Sequence, residues 1–287
     1  MKSKVGTSAI TPFKQKDLND LLKNQIGKAY GVYKKYKKVN WYNSVKIQNC
    51  FIDCSAGDMM PGKKTSPSIF LTELQKFPDF PSFLYLIEKD RNTYKNLLYN
   101  FYKIRSQDLE LFIQHPRYPI PQTQNMDMRD FLKKFPDNIN LIGLLYFDPN
   151  GFKIEDYDAI SSFLEKNHKM DVILNINVSQ IKRLRPITKV NGFDKYKDVY
   201  LSGILKNLHK ENIWIRNNVR IGVRSKFDFI MVFGTNHNKF DIGHNSYHFV
   251  PLYSDEGQGI IRKYNYTKNE INQFKGNQIT KTVQCHF

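Results

Sequence analysis

The chain has 287 residues and a mass of 33.9 kDa, enough for one large domain or two small ones at ~150 residues each. Hydrophobic residues make up 40% and charged residues 25%, close to globular averages, which excludes a collagen, a coiled coil and a fully disordered chain. Lys and Arg number 44 against 27 Asp and Glu, and the resulting net charge of +17 attracts polyanions at long range, nucleic acid first among them.

The longest apolar run, Leu141 to Phe147, is seven residues, whereas a membrane span needs about 20, so no membrane partner is expected. Residues 1–10 carry lysines without an apolar segment behind them, which is not the pattern of a signal peptide. Three cysteines cannot make a disulfide framework, and the chain reads as cytoplasmic with reduced thiols. There are 34 lysines to 10 arginines and 27 asparagines to 4 alanines, a bias that AT-rich codons explain in part. They do not explain the surplus of bases over acids.

In chain order, residues 1–46 hold 11 lysines and two acids, Asp17 and Asp20, so +9 of the charge sits in a basic N-terminal helical segment. Leu18, Leu21, Leu22, Ile26, Ala29, Val32, Tyr33 and Tyr36 recur at three and four, which predicts a helix over Gln15 to Val39. Lys34, Lys35, Lys37 and Lys38 surround Tyr36 at its end. They read either as a solvated last turn that suits the helix dipole or, with Lys28, as a ridge for phosphates. In the second reading Tyr33, Tyr36, Trp41 and Tyr42 serve base stacking.

Residues 47–287 then alternate strands and helices. Strands are expected at Cys50 to Cys54, Phe83 to Ile87, somewhere between Leu109 and Gln124, Leu141 to Phe147 and Val172 to Ile176. Helices are expected from Ser66-Pro67 (Ser66 as cap), over Arg91 to Tyr102, Asp127 to Lys134 and Ile154 to Asn167. The alternation predicts an α/β fold with a mostly parallel sheet and helices on both faces. From about residue 186 the pattern weakens into a C-terminal elaboration: a helix over Tyr196 to Leu208, strands at Phe227 to Phe233 and Tyr247 to Val250, a loop over Gly234 to Asn245, and a last helix from Thr267.

Four strand ends carry the chemistry. Asp53-Cys-Ser55-Ala56-Gly57 runs from a strand into small residues, which let a ligand approach the backbone, or simply make a tight turn. Glu88 ends the next strand, where a carboxylate can accept from both hydroxyls of a ribose. Asp127 precedes a helix and reads as an acceptor for an adenine amino group or, equally, as a helix cap. Asp148-Pro149-Asn150-Gly151 follows the buried strand and places a carboxylate and rigid carbonyls in the crevice, or serves chain reversal.

This order of elements resembles the Rossmann-like S-adenosylmethionine-dependent methyltransferases and, more narrowly, the three-Cys-motif partner proteins found near phage-type and mobile genes. The narrower resemblance rests on Lys28 and Tyr36, Asp53 to Gly57, Ser66-Pro67, Ile87-Glu88-Lys89-Asp90, Asp148 to Gly151 and Asn175, and covers about residues 25–185. It implies S-adenosylmethionine held by Asp53, Ser55, Ala56, Gly57 and Glu88 with Asp127 near adenine, an acceptor site at Asp148, Pro149 and Asn150, and a protein partner encoded nearby. The chain departs from the family in three places. Met59 stands where a second glycine is usual, beside Asp58. Asp53 and Glu88 are 35 residues apart, longer than the ~20 of a compact dinucleotide fold. Asn150 and Gly151 replace the proline and aromatic of amino-directed methyltransferases, with Phe152 one position away.

Three functions emerge as expectations: a methyltransferase acting on nucleic acid, a methyltransferase-like binding or partner protein without catalysis, and a metal-dependent phosphate-processing enzyme using Asp53, Asp58, Glu88 and Asp148. His237, His244 and His248 beside Asp241 read as a polar loop rather than a metal site, and Cys50, Cys54, Cys285 and His286 lack zinc spacing, so no metal is expected.

Overall fold

The computed structural model describes residues 11–37, 47–60, 62–107, 121–136, 140–149, 151, 153–178, 201–217, 229–237 and 249–265. In chain order the helices are α1 (Thr11–Lys37), α2 (Ser66–Gln75), α3 (Arg91–Gln107), α4 (Met128–Lys134), α5 (Ile154–Lys166), α6 (Leu201–Lys206) and α7 (Asp255–Asn265). The strands are β1 (Ile47–Asp53), β2 (Ser82–Ile87), β3 (Pro121–Gln124), β4 (Asn140–Phe147), β5 (Met170–Asn177), β6 (Asn212–Asn217), β7 (Phe229–Thr235) and β8 (Phe249–Pro251).

The strands form one sheet in the order β3-β2-β1-β4-β5-β7-β6-β8. The first five pair in parallel, and β7 runs antiparallel to both β5 and β6. The order reverses between β1 and β4, which leaves a crevice at their carboxyl ends. This is an α/β fold with a Rossmann-like, mostly parallel sheet and helices on both faces.

Side chains along each central strand alternate between two cores, because successive residues of a strand face opposite sides. Cys50, Ile52, Leu145, Phe147, Val172 and Leu174 face α4, α5, α6 and α7. Phe51, Leu144, Tyr146, Ile173, Met231 and Phe233 face α1, α2 and α3. Both faces are therefore largely apolar, which is why β4 reads as a continuous hydrophobic run. The N-terminal helix belongs to this second core: Leu18, Leu21, Leu22, Ile26 and Tyr33 are buried against the same cluster as Phe70 and Phe80. The +9 segment thus contributes a layer of the fold through α1.

Several sequence expectations shift. The cap of α2 is Thr65, not Ser66, and Ser68 Oγ accepts from the Thr65 N–H at 2.8 Å. β3 begins at Pro121, which an edge strand tolerates because its N–H side needs no partner. Gly234 lies inside β7 rather than opening a loop, and β6 and α7 are additional elements. Residues 179–200 and the helix expected from Thr267 lie outside the described residues. No helix among the described residues is long and apolar enough to cross a membrane.

Gly143 is the tightest point of the sheet. It sits at φ +150 opposite Cys50, and a Cβ there would lie 1.8 Å from the Cys50 carbonyl oxygen. Gly143→Ala is expected to cost at least about 3 kcal/mol through backbone strain and the β1–β4 clash, lowering the melting temperature by roughly 6–12 °C. Calorimetry on the variant checks this. A shift of a degree or two would mean that the two strands can part without penalty.

Candidate functional site: the crevice between β1, β2 and β4

The crevice has a volume of about 820 Å³ and is lined from the tips of β1, β2 and β4 and from the loops that follow β2 and β3. Four local arrangements shape it.

The turn after β1 is fastened on both sides. Cys54 N–H donates to the Tyr146 carbonyl, Ala56 N–H to the Ile87 carbonyl at 3.0 Å, and Gly57 N–H to Glu88 Oε2 at 3.0 Å. Ser55 donates its N–H to Asp53 Oδ1, and its hydroxyl accepts the Asp148 N–H at 2.9 Å, linking the β1 tip to the β4 tip. Gly57 adopts φ +70 on the crevice wall, and a Cβ built there meets nothing within 4 Å. The missing side chain therefore leaves space directly over the backbone, as close approach of a ligand requires. Ala56 is buried beneath this turn.

Met59, which stands where the resemblance would place a second glycine, points away from the crevice. Its side chain is buried in the core with Phe70, and its backbone takes the left-handed value φ +49 that a glycine would adopt freely. The departure from the family pattern is thus absorbed as backbone strain rather than as obstruction.

Asp53 does not line the crevice. It is fully buried under the turn, and its Oδ2 has no hydrogen-bond partner. Burial pushes its carboxyl up to about 7; the charges of Asp148 and Glu88 push the same way, while hydrogen bonds from Ser66 and Ser55 oppose them.

Glu88 lies on the crevice wall at the end of β2. Oε2 accepts from Gly57 N–H and Oε1 from Asp90 N–H at 2.8 Å. A carboxylate has about four acceptor positions, so one remains on each oxygen for a diol. Asp127 resolves as the cap of α4, accepting from Arg129 N–H, Arg129 Nε and Nη2, and Lys89 Nζ between 2.8 and 3.0 Å. These donors hold its carboxyl well below the usual range, the Arg129 guanidinium most of all. With its four acceptor positions filled, it has none left for an adenine amino group. Ile87, Met126, Met128 and Phe147 give that end of the crevice an apolar lining.

Asp148 also lines the crevice, and its carboxylate is already engaged. Lys14 Nζ of α1 donates to Oδ1 at 2.7 Å, and the Tyr146 hydroxyl lies 3.4 Å from Oδ2 and in turn accepts from Asn175 Nδ2 at 3.0 Å. No sequence signal marked Lys14, since its partner is 134 residues away. Pro149 lines the crevice beside Asp148, while Asn150 and Phe152 lie outside the described residues.

The basic residues are divided. Lys34, Lys35 and Lys37 are exposed on α1, lying 4.9, 5.3 and 5.3 Å from the ring centroids of Tyr30, Tyr36 and Tyr33. Tyr33 is buried against Phe80 and is not available for stacking. Lys38, Trp41 and Tyr42 lie outside the described residues. Lys28 lines a separate cavity beside Asp171 and His237, at the opposite end of the sheet from the crevice. No group of three His, Cys, Asp or Glu side chains among the described residues is placed to hold a metal; Asp241, His244 and His248 lie outside them.

No family model matches the chain, and no curated protein matches it. Among solved structures, protein LPL1258 of Legionella pneumophila aligns with 86% of this chain and 92% of its own, at 12% identity and a TM-score of 0.42. An O-methyltransferase from Bacillus cereus, solved in complex with SAH, aligns over 81% of this chain and 86% of its own at 12% identity and a TM-score of 0.41. The restriction-modification enzyme MmeI, solved with DNA, aligns over 76% of this chain but 36% of its own, at 11% identity and a TM-score of 0.41. Likenesses this distant carry no argument, and the fold assignment rests on the strand order.

The state of Asp53 has a pH signature. An unfolded aspartate titrates near ~4, so between about pH 4 and 7 the folded chain binds a proton that the unfolded chain does not. Its contribution to stability therefore falls as pH rises through that window and is constant above it. Asp53→Asn is expected to melt higher than wild type near pH 8, with the gap closing toward about pH 4. Thermal unfolding across that range decides, and a gap independent of pH would mean that the buried carboxyl is ionised without penalty.

Proposed function

We propose that the protein is an S-adenosylmethionine-dependent methyltransferase that engages nucleic acid as it works. The observation that carries this reading is Glu88: a carboxylate at the tip of β2, on the wall of a crevice at the point where strand order reverses, with one acceptor position free on each oxygen and an open glycine turn beside it. In such a sheet this is where a nucleoside sits. Gly57 gives the backbone approach, Ile87 and Met126 give apolar walls for a base, and Asp148 stands at the acceptor end. The cofactor would supply an activated methyl group. The chain's own residues would position it, and Ser55, through its bond to Asp148 N–H, would hold the cofactor turn and the acceptor carboxylate in fixed relation. Nucleic acid is supported by the charge of +17 and by the exposed lysines at the end of α1.

One observation favours a second reading, a methyltransferase-like partner protein that binds the cofactor without turnover: the Asp148 carboxylate is taken by Lys14. Methyl transfer from labelled cofactor to mixed DNA, RNA and protein separates the two. Labelling supports the enzyme, and tight cofactor binding with no labelled product supports the partner protein.

Glu88→Ala is expected to weaken S-adenosylmethionine binding by about 1.5–3 kcal/mol, through removal of charge-assisted hydrogen bonds to two hydroxyls. Calorimetry on both forms measures it, and equal affinities would remove the cofactor from this crevice. Changing Lys34, Lys35, Lys37 and Lys38 together to Gln is expected to flatten the salt dependence of duplex binding by roughly 0.9 in logarithmic slope for each phosphate no longer neutralised. An unchanged slope would assign those lysines to a solvated face.

A further inference from the structure

The contact between Lys14 and Asp148 has the composition of a ligand site rather than of a surface ion pair. Lys14 is 8% exposed, a degree of burial that lysines rarely reach. Its ammonium is 2.7 Å from Asp148 Oδ1 and 3.9 Å from the centroid of the Phe229 ring at the start of β7. A carboxylate and an aromatic face directed at one cation are what recognises an alkylammonium group. The carboxylate is held in place from three sides: by Lys14 itself, by the Tyr146 hydroxyl that Asn175 orients, and through its own backbone N–H by Ser55. Two of these supports remain if Lys14 is removed, so the site does not depend on its occupant for its shape. Asp148 is also a wall of the crevice, so the ammonium position and the proposed cofactor site share a side chain.

We propose that Asp148 and Phe229 form a binding site for a primary alkylammonium group, that Lys14 is its intramolecular occupant, and that the natural ligand brings such a group to this position by displacing the first turn of α1. The ligand is a lysine side chain of another protein or a free alkylamine, which present the same chemistry. Any methyl transfer to the bound amine rests on the methyltransferase reading; the binding itself does not. Anchoring of α1 does not depend on Lys14 alone: one turn on, Asp17 pairs with Arg216 of β6, and Leu18, Leu21 and Leu22 are buried. Withdrawal of the first turn therefore leaves the rest of the helix seated.

The test uses the full chain without cofactor, so its failure would leave the Glu88 experiment untouched. Butylammonium chloride, a lysine peptide acetylated at its N-terminus and, as a planar amine, cytidine are titrated against wild type, Lys14→Ala and Lys14→Ala with Asp148→Asn, with folding checked by circular dichroism. The single variant is expected to bind butylammonium roughly tenfold or more tighter than wild type, from the freed carboxylate and ring, and the double variant is expected to lose that gain. A preference for the peptide over butylammonium would identify a protein lysine as the ligand, and the reverse preference a free amine. Equal binding by all three proteins, a gain that survives in the double variant, or a gain for cytidine alone would each overturn the proposal. Should Lys14→Ala not fold, wild type carrying 13C at the lysine ε-carbons supplies the readout. Butylammonium must then move the Lys14 resonance toward the exposed-lysine position, and a resonance that stays fixed at saturating salt-matched titrant overturns the proposal equally.

Discussion

A parallel sheet buried on both faces confines its charged groups to the ends of its strands. Helices cover β1, β4 and β5 from either side, so charged side chains of these strands lie near strand ends, Asp171 at the amino end of β5 and Asp53 at the carboxyl end of β1. Asp53, Glu88, Asp127 and Asp148 all arrive at the carboxyl edge, and like charges brought together in a partly desolvated crevice repel. Each is stabilised differently. Asp53 is driven toward the protonated form by burial, Glu88 accepts backbone N–H groups, Asp127 binds an arginine and a lysine, and Asp148 binds the ammonium of a distant helix. The first of these is withdrawn beneath the turn, whereas Glu88 lies on the crevice wall with acceptor positions open. That contrast separates a residue supporting the turn from one able to touch a ligand.

The parts of the fold that were legible in the sequence are those where one local pattern decides. β4 is a continuous apolar run, β5 has the short apolar stretch Val172 to Leu174, α1 and α5 keep a three-four repeat, and the order strand, acid, small turn, strand, acid points to the edge where the crevice lies. The misses have physical causes. β6 is six residues with Ile213 and Ile215 inward, an alternation too short to stand out among polar neighbours. α7 was hidden by Gly257 and Gly259, which lower helix propensity; Gly257 is required because a Cβ there would lie 2.3 Å from the Pro251 carbonyl oxygen. At the site, the position of Glu88 was legible, but the hidden placement of Asp53 was not, because a strand-end acid carries no local mark of whether its side chain turns into the crevice or under the turn. Lys14 was illegible for a stronger reason: only the tertiary fold brings it to Asp148.

The same separation of local and tertiary causes bears on what the basic charge of α1 is for. Burying Leu18, Leu21, Leu22 and Ile26 stabilises the helix on the sheet by roughly 1.5–3 kcal/mol each, whereas repulsion between neighbouring exposed lysines costs only about 0.2–0.5 kcal/mol per pair. The apolar stripe therefore decides where α1 lies, and Lys34 and Lys35 neither drive nor prevent it. Both ends are also pinned by polar contacts, Lys14 to Asp148 and Asp17 to Arg216 at one, Tyr30 and Lys37 to Asp79 at the other. A helix fixed this firmly tolerates a charged outer face at small cost. Lys34 and Lys35 on that face are consequently available to whatever polyanion the protein meets, while the one lysine of α1 that is buried, Lys14, is committed to the edge of the sheet where the chemistry lies.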